Sequence, residues 1–459
     1  MKLSINLFLI FILTTGLASC NPSDSNAVAD APYPQYGSPF TGMPSSKDAI
    51  IYQVNIRAFS QSGDLAGVKA KLSTIKDLGV NVIYLMPIYP VGVLNSVGGL
   101  GSPYSVKDYK TVSTEFGTLE DLRSLVAEAH TMGMAVILDW VANHTSWDNA
   151  WITQHPDWYQ KDASGTIIAP PGTGWNDVAQ LNYNNNDMRN GMIDAMSYWV
   201  YNANIDGFRC DFADGVPQNF WSAAISKIRS IKNQNMIMLA EGKRIDHFYV
   251  GFDYTFGFGF YDALKKKFSD NKPATSIQDA NAAEYANNYN NNYRIVRYTT
   301  NHDVNVSDGT PLALYGGVNG SLATFVVAAY MKSVPMIYNG QEIGYAQQIP
   351  FFTHTPIDWS TANPTVLSEY KKIIAFRKTS NAIKSGVFTG YSSSAVSVFT
   401  MTTDTEKVLV LSNLTNSPIN YIFPSALTAT SWSDAFTGVA MPLTTEINLL
   451  PYQYVVLKN

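Results

Sequence analysis

Short apolar runs rich in β-branched and aromatic residues alternate with amphipathic helical patterns along most of this 459-residue chain. Seven runs are typical of parallel strands buried on both faces: residues 50–54, 80–87, 134–141, 205–211, 236–241, 294–300 and 334–340. Residues 251–256 can supply an eighth. Helical periodicity recurs between the strands, at residues 64–78, 119–132, 188–202 and 220–231. The alternation predicts an α/β fold, either a doubly wound sheet or, with eight strands, a (β/α)8 TIM barrel.

Two segments depart from this alternation. Residues 145–182 form a long excursion after the third strand, rich in Trp, Pro, Gly and Asp, and we expect it to be an inserted domain. Residues 384–459 change to alternating runs with Thr, Ser and Asn between them and no further helical period, which predicts a C-terminal antiparallel β-sandwich domain. The barrel is then expected to span residues 46–383.

The N-terminal segment has the pattern of an export signal. Lys2 precedes an apolar stretch and small residues stand just before Cys20, so residues 1–19 are predicted to be a signal peptide. The ending LASC resembles the lipobox of bacterial lipoproteins, which implies that Cys20 is lipidated and that residues 20–45 form a flexible tether. A transmembrane helix and an ordinary secreted protein are the alternatives. Because the following segment is polar and Pro-rich, without a charged stop-transfer flank, we expect a bacterial cell-envelope protein held to the membrane by lipid alone.

The composition excludes several classes of protein. With 46% hydrophobic residues the chain can bury a large core and is not disordered. It carries 31 Lys+Arg against 36 Asp+Glu, and the basic residues are not clustered, so we predict no nucleic-acid binding. The partners of such a mildly acidic chain are expected to be neutral or small.

Polar side chains collect just after the predicted strands. The C-terminal ends of barrel strands form one rim, so these side chains are expected to converge there. They are Asp139, Asn143 and His144 after the third strand, Arg209 and Asp211 on the fourth, Glu241 on the fifth, and Asn301, His302 and Asp303 after the seventh. The sequence has no HExxH, DxDxDG, GxSxG or Walker motif, so we expect no catalytic metal, acyl-transfer serine or nucleotide site.

Paired carboxylates on such a rim, in a groove lined by aromatic residues, suit the cleavage of glycosidic bonds. One must be ionised beside the anomeric carbon, and the other must be protonated near neutral pH to protonate the leaving oxygen. Arg209 and Asp211 lie two residues apart on one strand and point to the same face, so the guanidinium is expected to keep Asp211 anionic. Glu241 follows the next strand, in what we expect to be a less cationic setting suited to the proton donor.

Four blocks in register resemble the α-amylase family of retaining glycoside hydrolases: DWVANH at 139–144, GFRCD at 207–211, LAEG at 239–242 and TTNHD at 299–303. The resemblance runs from residue 49 to the C-terminus and implies a (β/α)8 barrel, a short domain B at residues 145–182 and a C-terminal β domain. It implies that Asp211 is the nucleophile, Glu241 the general acid/base and Asp303 the aspartate that binds sugar hydroxyls. It assigns sugar binding to Tyr104, His144, Arg209 and His302, and a supporting role to Asn301.

The resemblance implies an enzyme that hydrolyses α-glucosidic bonds, α-1,4 bonds in starch-like glucans or malto-oligosaccharides above all. We expect it to be a monomer. It implies a covalent glycosyl-enzyme intermediate, retained configuration and carboxyl groups ~5–5.5 Å apart. An α-glucosidase, an α-1,6-acting enzyme or a transglycosylase of the same family stays open, as does a catalytically silent carbohydrate-binding lipoprotein. Trp147 and Trp175 in the excursion are left open between sugar stacking and local core.

The resemblance implies no required cofactor but leaves open a structural calcium ion, for which the family's usual ligand pattern is incomplete here. Many members carry Lys and His shortly after the nucleophile, whereas Asp211 is followed by Phe212, Ala213, Asp214 and Gly215. Gln180 stands where the family usually has Asp, so Asn143 alone remains of the usual ligands. Since Ca²⁺ prefers several oxygen ligands, carboxylates among them, a metal at this place is doubtful.

Overall fold

Eight parallel strands close into a barrel in the computed structural model of the chain. The structure describes residues 33–286 and 293–459, so the predicted signal peptide and Cys20 lie outside the described residues. Residues 35–459 form one unit. The first ten strands are, in chain order, β1 (Ile51–Val54), β2 (Val82–Leu85), β3 (Ala135–Val141), β4 (His144–Ser146), β5 (Val178–Gln180), β6 (Gly207–Asp211), β7 (Ile237–Ala240), β8 (Tyr254–Phe256), β9 (Arg294–Arg297) and β10 (Val334–Tyr338).

The barrel order is β1-β2-β3-β6-β7-β8-β9-β10, and it closes where β10 pairs with β1. The pairing brings Gln53 opposite Tyr338. Each of the eight strands lies within a run predicted from the sequence, and the predicted (β/α)8 barrel is confirmed. Because strand side chains alternate in direction, Ile51 belongs to the cluster inside the barrel and Tyr52 to the cluster between strands and helices.

Most of the α-helices in the described residues surround the barrel or connect its strands. In chain order they are α1 (Ile56–Phe59), α2 (Leu65–Lys69), α3 (Leu72–Asp77), α4 (Leu119–Thr131), α5 (Trp151–Gln154), α6 (Asn186–Ala203), α7 (Gln218–Lys232), α8 (Asp246–Tyr249), α9 (Phe258–Ser269), α10 (Thr275–Tyr285), α11 (His302–Ser307), α12 (Pro311–Leu314), α13 (Gly317–Tyr330), α14 (Pro364–Thr379), α15 (Asn381–Ser385) and α16 (Ser425–Thr428).

Local sequence sets several of these helix ends. At the start of α4, Thr118 and Asp121 form a capping box in which each side chain accepts a hydrogen bond from the other residue's backbone N–H. The single helix predicted at residues 64–78 is two helices, α2 and α3, because Lys71 leaves the helical conformation at φ −111° and ψ 10°. Both helices bury their apolar residues, so the hydrophobic spacing conceals the break.

The inserted segment after β3 is held by a short antiparallel pair. Strand β4 pairs with β5, which places His144 opposite Gln180. The rest of the excursion is mostly turns, with α5 and a short 3-10 helix at Pro156–Trp158. The pair returns the chain to the barrel rim, so His144 stays beside the strand ends although it begins the excursion.

The C-terminal region contains the strands β11 (Val387–Gly390), β12 (Val396–Thr402), β13 (Lys407–Asn413), β14 (Ile419–Ile422), β15 (Ser433–Asp434), β16 (Glu446–Leu449) and β17 (Tyr454–Lys458). They form a five-stranded antiparallel sheet, β11-β12-β13-β17-β15, and a two-stranded one, β14-β16, with apolar side chains of both sheets in one cluster. This is the predicted β-sandwich. The short helix α16, which the sequence pattern did not predict, lies within it.

Helix α13 joins the barrel to the C-terminal sheet. All its residues from Gly320 to Tyr330 are buried, as expected for a helix that is apolar all round. The hydroxyl of Ser412 on β13 donates a hydrogen bond to the carbonyl of Ala323 at 2.9 Å. Among the residues that the structure describes, no helix has both the length and the apolar character needed to cross a bilayer.

Candidate active site

A cleft of about 550 Å³ opens at the C-terminal ends of the barrel strands. Six of the predicted site residues line it: Tyr104, His144, Asp211, Glu241, His302 and Asp303. Arg209 lies buried beneath the carboxylates, and Asn301 is buried at the start of α11. The structure therefore brings the six lining residues to one surface and places the remaining two behind it.

Arg209 binds three carboxylates at once. Its Nη1 donates to Oδ1 of Asp139 at 2.7 Å and to Oδ1 of Asp211 at 2.9 Å. Its Nη2 lies 2.7 Å from Oε1 of Glu241. The expectation of a less cationic setting for Glu241 is wrong, because the planar guanidinium has enough donors to reach both strand ends at once.

The electrostatics of the cleft floor are dominated by burial. Burial raises the pKa of Asp211 well above its usual range, and the charge of Glu241 raises this pKa further, while Arg209 lowers it. Burial likewise raises the pKa of Asp139, against the effect of Arg209. The guanidinium therefore offsets only part of the cost of burying these carboxylates. Asp139 and Asp211 bind the same nitrogen of Arg209, so the protonation states of these two carboxyl groups are linked.

A chain of hydrogen bonds fixes Tyr104 and His302. Nε2 of Gln53 on β1 lies 2.7 Å from Nδ1 of His302 and donates to it. The histidine then carries its proton on Nε2, which lies 2.6 Å from the hydroxyl oxygen of Tyr104. The tyrosine hydroxyl donates in turn to Oδ2 of Asp139 at 3.0 Å. Gln53 is a site residue that sequence reasoning missed; its only signal was a polar side chain inside an apolar strand.

Both histidines are neutral hydrogen-bonding groups at neutral pH. Burial lowers the pKa of His144 to about 4. Burial, and then the charge of Arg209, lowers the pKa of His302 to about 4. Neither imidazole therefore adds positive charge to the cleft above about pH 5.

The residue after Asp211 has an unusual backbone. Phe212 adopts a left-handed conformation at φ 42° and ψ 46°, which is costly for a residue with a bulky side chain. Its N–H donates to Oε2 of Glu241 at 2.7 Å. Its ring meets Trp175 edge to face at 5.0 Å, and both side chains line the cleft. The left-handed turn thus aims one backbone donor at Glu241 and one aromatic ring at the cleft.

The two tryptophans left open by the sequence differ in position. Trp175 lines the cleft and packs edge to face against His144 at 5.5 Å. Trp147 packs against the core and donates from Nε1 to the carbonyl of Asn176 at 2.9 Å, which fixes the segment carrying Trp175. Only Trp175 is therefore placed to stack on a ligand.

Asn301 supports the site by binding backbone N–H groups at the start of α11. It caps α11: its Oδ1 accepts hydrogen bonds from the N–H groups of Asp303 and Val304, both at 2.9 Å. The cap fixes the first turn of the helix, which carries His302 and Asp303. Asn301 thus supports the pair, as the resemblance implied, and is not among the residues that line the cleft.

The residues around Asn143 do not fit a calcium ion. Nε2 of Gln180 donates to the backbone oxygen of Asn143 at 3.0 Å, to its Oδ1 at 3.2 Å and to the carbonyl of Leu181 at 3.1 Å. The oxygens that would face a cation thus already accept hydrogen bonds from an amide. Asp214, in the stretch after Asp211, already has a partner, since it accepts a hydrogen bond from Nε2 of His247 at 2.7 Å. Within residues 33–286 and 293–459, no cluster of three or more His, Cys, Asp or Glu side chains could hold a metal ion.

Cys210 lies between Arg209 and Asp211 but faces away from them. It belongs to the cluster between strands and helices, and burial raises the pKa of its thiol well above the usual range. A protonated, buried thiol is a packing group and not a nucleophile.

The chain resembles proteins of known class in both sequence and fold. The family described as "Alpha amylase, catalytic domain" matches residues 23–165 and 173–370. "Alpha-amylase 2" of Dictyoglomus thermophilum is 27% identical over 414 residues, which cover 80% of this chain and 70% of that protein. "Probable oligo-1,6-glucosidase 3" of Bacillus subtilis is 32% identical over 200 residues, covering 36% of this chain and 35% of that protein. The crystal structure of an alpha-amylase from Lactobacillus plantarum superposes with a TM-score of 0.81 at 27% identity, covering 90% of this chain and 99% of that one.

Proposed function

This chain belongs to the alpha-amylase family and is a glycoside hydrolase of α-glucans, and we propose that it cleaves α-1,4 bonds with retained configuration. One observation carries the proposal: a single guanidinium, that of Arg209, binds both Asp211 and Glu241 at the floor of one cleft. One guanidinium holds both carboxyl groups near each other, which favours direct attack by Asp211 over the inverting route, in which the two groups lie further apart.

In the first step, Oδ of Asp211 attacks the anomeric carbon. The bond from that carbon to the leaving oxygen breaks, and the proton of Glu241 passes to this oxygen, so the shortened glucan leaves with a free hydroxyl. Asp303 and the neutral His144 and His302 bind hydroxyl groups of the reacting sugar. Tyr104, held by His302, stacks under its ring.

In the second step, water cleaves the ester between Asp211 and the sugar. The carboxylate of Glu241 takes a proton from the water, whose oxygen attacks the anomeric carbon from the face the leaving group occupied. The second inversion restores the α configuration, and both carboxyl groups return to their starting states.

The test is the release of reducing sugar from soluble starch by three variants. Asp211→Asn and Glu241→Gln are each expected to lower kcat by about 10²–10⁴-fold or more, because each removes a group that reacts in the transition state. Asp404→Asn, an exposed aspartate of the C-terminal region, serves as the matched control and should keep full activity. Equal activity in all the chains would contradict the proposal.

A second candidate is cleavage of α-1,6 bonds. It is favoured by the 32% identity to the Bacillus subtilis protein named as a probable oligo-1,6-glucosidase, although that match covers 36% of this chain. Product profiles on starch, pullulan, isomaltose and cyclodextrins separate the two. Isomaltose decides first, because an enzyme that cleaves only α-1,4 bonds leaves it intact.

We also propose that the enzyme works without a metal ion, as a monomer, in the cell envelope. Gln180 supports the first point, since its amide occupies the oxygen cluster beside Asn143. The sequence around Cys20 supports the last. A Cys20→Ser variant should move from the membrane fraction to the soluble fraction of the expressing bacterium, and gel filtration of that soluble variant should give the mass of a single chain. Unchanged fractionation would contradict lipid anchoring.

A further inference from the structure

The segment after Glu241 is tied to a carboxylate of the neighbouring loop. Residues 241–245 connect β7 to α8 without regular secondary structure. Asp214, in the 3-10 turn after β6, faces this segment. Its Oδ2 accepts the N–H of Lys243 at 3.1 Å, and its Oδ1 accepts that of Arg244 at 3.4 Å. One aspartate thus satisfies two successive backbone donors within three residues of the proposed acid.

His247 on α8 completes the contact. Its side chain is fully buried, and its Nε2 donates to Oδ1 of Asp214 at 2.7 Å. Nη1 of Arg244 donates to the backbone carbonyl of Asp214 at 2.9 Å. We call Asp214, His247 and the backbone of residues 242–244 the clasp. Four donors from one segment converge on a single residue of the other, which fixes the two loops against each other.

The clasp closes over a glycine. Gly242 comes directly after Glu241, and a Cβ at this position would lie 2.5 Å from Oδ1 of Asp214 and 2.5 Å from Nε2 of His247. Both separations are well inside van der Waals contact, so the hydrogen-bonded pair fits here only because Gly242 has no side chain. The pair is therefore packed directly against the backbone that follows the acid.

The loop that carries Asp214 also holds Glu241 itself. The N–H of Ala213 donates to the backbone carbonyl of Glu241 at 2.9 Å, and the N–H of Phe212 donates to its Oε2 at 2.7 Å. The N–H of Glu241 donates to the carbonyl of Cys210 at 2.9 Å, which continues the pairing of the two strands. The strand thus fixes the N-terminal side of Glu241, and the clasp fixes the C-terminal side.

We propose that Asp214 and His247 are positioning residues that orient Glu241 as the proton donor to the leaving oxygen. The inference rests on the proposed function, which makes Glu241 the acid. Neither residue takes part in the bond changes, since the proton still passes from Glu241 to the leaving oxygen while Asp211 attacks. Proton transfer requires the acid to lie within hydrogen-bond reach of that oxygen, and a misplacement of about 1 Å can lower a rate about 10²-fold.

Asp214 also lines the cleft, so the experiment has to separate orientation of the acid from direct contact with a sugar. A series of aryl α-glucosides does this, because the leaving groups differ in pKa and contain no sugar. In Asp214→Ala, kcat/KM should fall less than about threefold for a dinitrophenyl leaving group, which needs little protonation, and about 10²-fold for a phenyl leaving group. The variant should thus depend more steeply than wild type on the pKa of the leaving group, which a general loss of stability would not cause.

Three further variants and a control make the test specific. His247→Phe keeps a buried ring but removes the donor, and Gly242→Ala forces the pair apart, so both should show the steep dependence. His247→Gln keeps a donor to Asp214 and should recover most of the wild-type dependence. Asp434→Ala is the matched control, because Asp434 binds two backbone N–H groups of the C-terminal region, at 3.0 and 2.7 Å, and should leave the dependence unchanged.

A wild-type dependence on the leaving group in Asp214→Ala and His247→Phe would overturn the inference. A loss on maltoheptaose with an unchanged aryl series would also overturn it and assign Asp214 to direct contact with the sugar. A crystal structure of Asp214→Ala tests the position without turnover: a Glu241 carboxyl group within about 0.5 Å of its wild-type position would contradict the proposal. If wild type hydrolyses no α-glucoside, the proposed reaction fails, and a displaced Glu241 in this variant would still establish the positioning role.

Discussion

Nη2 of Arg209 lies 2.7 Å from Oε1 of Glu241, although the two residues come from neighbouring barrel strands. The other oxygen of Glu241 accepts the N–H of Phe212. Both oxygens of the proposed acid are thus contacted by donors of the protein itself. Each oxygen keeps a second lone-pair position, which can carry the proton that Glu241 gives to the glycosidic oxygen.

Replacing Arg209 should lower activity more than replacing an arginine whose ion pair lies away from the cleft. Arg209→Met leaves the buried Asp139 and Asp211 and the partly buried Glu241 without their cation, so we expect a loss of about 3–5 kcal/mol in the free energy of unfolding and almost no activity. Arg209→Lys should recover stability in part but little activity, because a point charge cannot span Asp211 and Glu241. Urea unfolding and kcat, measured at a temperature where the variants are folded, check both.

Arg229→Met is the control for this prediction. Arg229 pairs with Asp253 at 2.9 Å, away from the residues that line the cleft. It should lose stability but keep kcat. If both variants lose activity in proportion to stability, Arg209 has only a structural role.

The acid side of the pH profile should report Asp211. Attack requires its carboxylate, and its pKa is raised by burial and by Glu241, so kcat/KM should fall as the pH drops through a value above the ordinary 3.8 of Asp. Glu241 acts as a protonated, neutral acid in the proposed first step, so Glu241→Gln should leave this limb in place. An activated aryl α-glucoside, whose leaving group needs little protonation, gives the required rates. A limb that moves to lower pH would instead show that a charge on Glu241 raises the pKa of Asp211 in the reacting enzyme.

The amide of Gln180 should make the stability of the fold independent of calcium. EDTA or millimolar Ca²⁺ is expected to leave the Tm of wild type unchanged. Gln180→Asp should lower stability by about 1–3 kcal/mol in EDTA, because a carboxylate would face the oxygens of Asn143 and Leu181, and Ca²⁺ should restore it. Gln160→Asp, at an exposed position of the same segment, is the control and should respond to neither reagent. A wild-type Tm that falls in EDTA would refute this.

The backbone of Phe212 gives a prediction that needs no substrate. At φ 42° glycine avoids a penalty of about 1–2 kcal/mol, so Phe212→Gly should be more stable than Phe212→Ala by about 1 kcal/mol. At Phe220, inside α7, the order should reverse, because glycine weakens a helix by about 1 kcal/mol. Thermal unfolding of the four variants checks both signs. The same order at both positions would mean that Phe212 is not held left-handed.

Much of the site could be predicted because a barrel places strand ends on one rim. The polar residues at the ends of β3, β6 and β9, and Glu241 after β7, could be grouped as soon as the positions of the strands were known. The charge distribution could not be predicted in this way. Whether Arg209 serves one carboxylate or three depends on where its long side chain ends, and spacing along β6 does not fix this.

Other features depended on contacts from distant parts of the chain. Gln53 was overlooked because its partner His302 is 249 residues away. Trp147 and Trp175 have the same local character, and only the packing of the excursion separates them. The break between α2 and α3 was hidden because the two helices keep the hydrophobic spacing of one.

The closing pair of the barrel joins the beginning of the fold to a strand that lies about three quarters of the way along the chain. Gln53, which orients His302, is fixed only when β1 finds β10, opposite Tyr338. Contacts so far apart in sequence form late, after shorter-range ones. A nascent chain that stops before β10 therefore carries Asp211 and Glu241 but no assembled cleft. Hydrolytic competence should thus appear abruptly with the last barrel strand, so truncated products of interrupted translation would be inert toward the glucans of the cell that makes them.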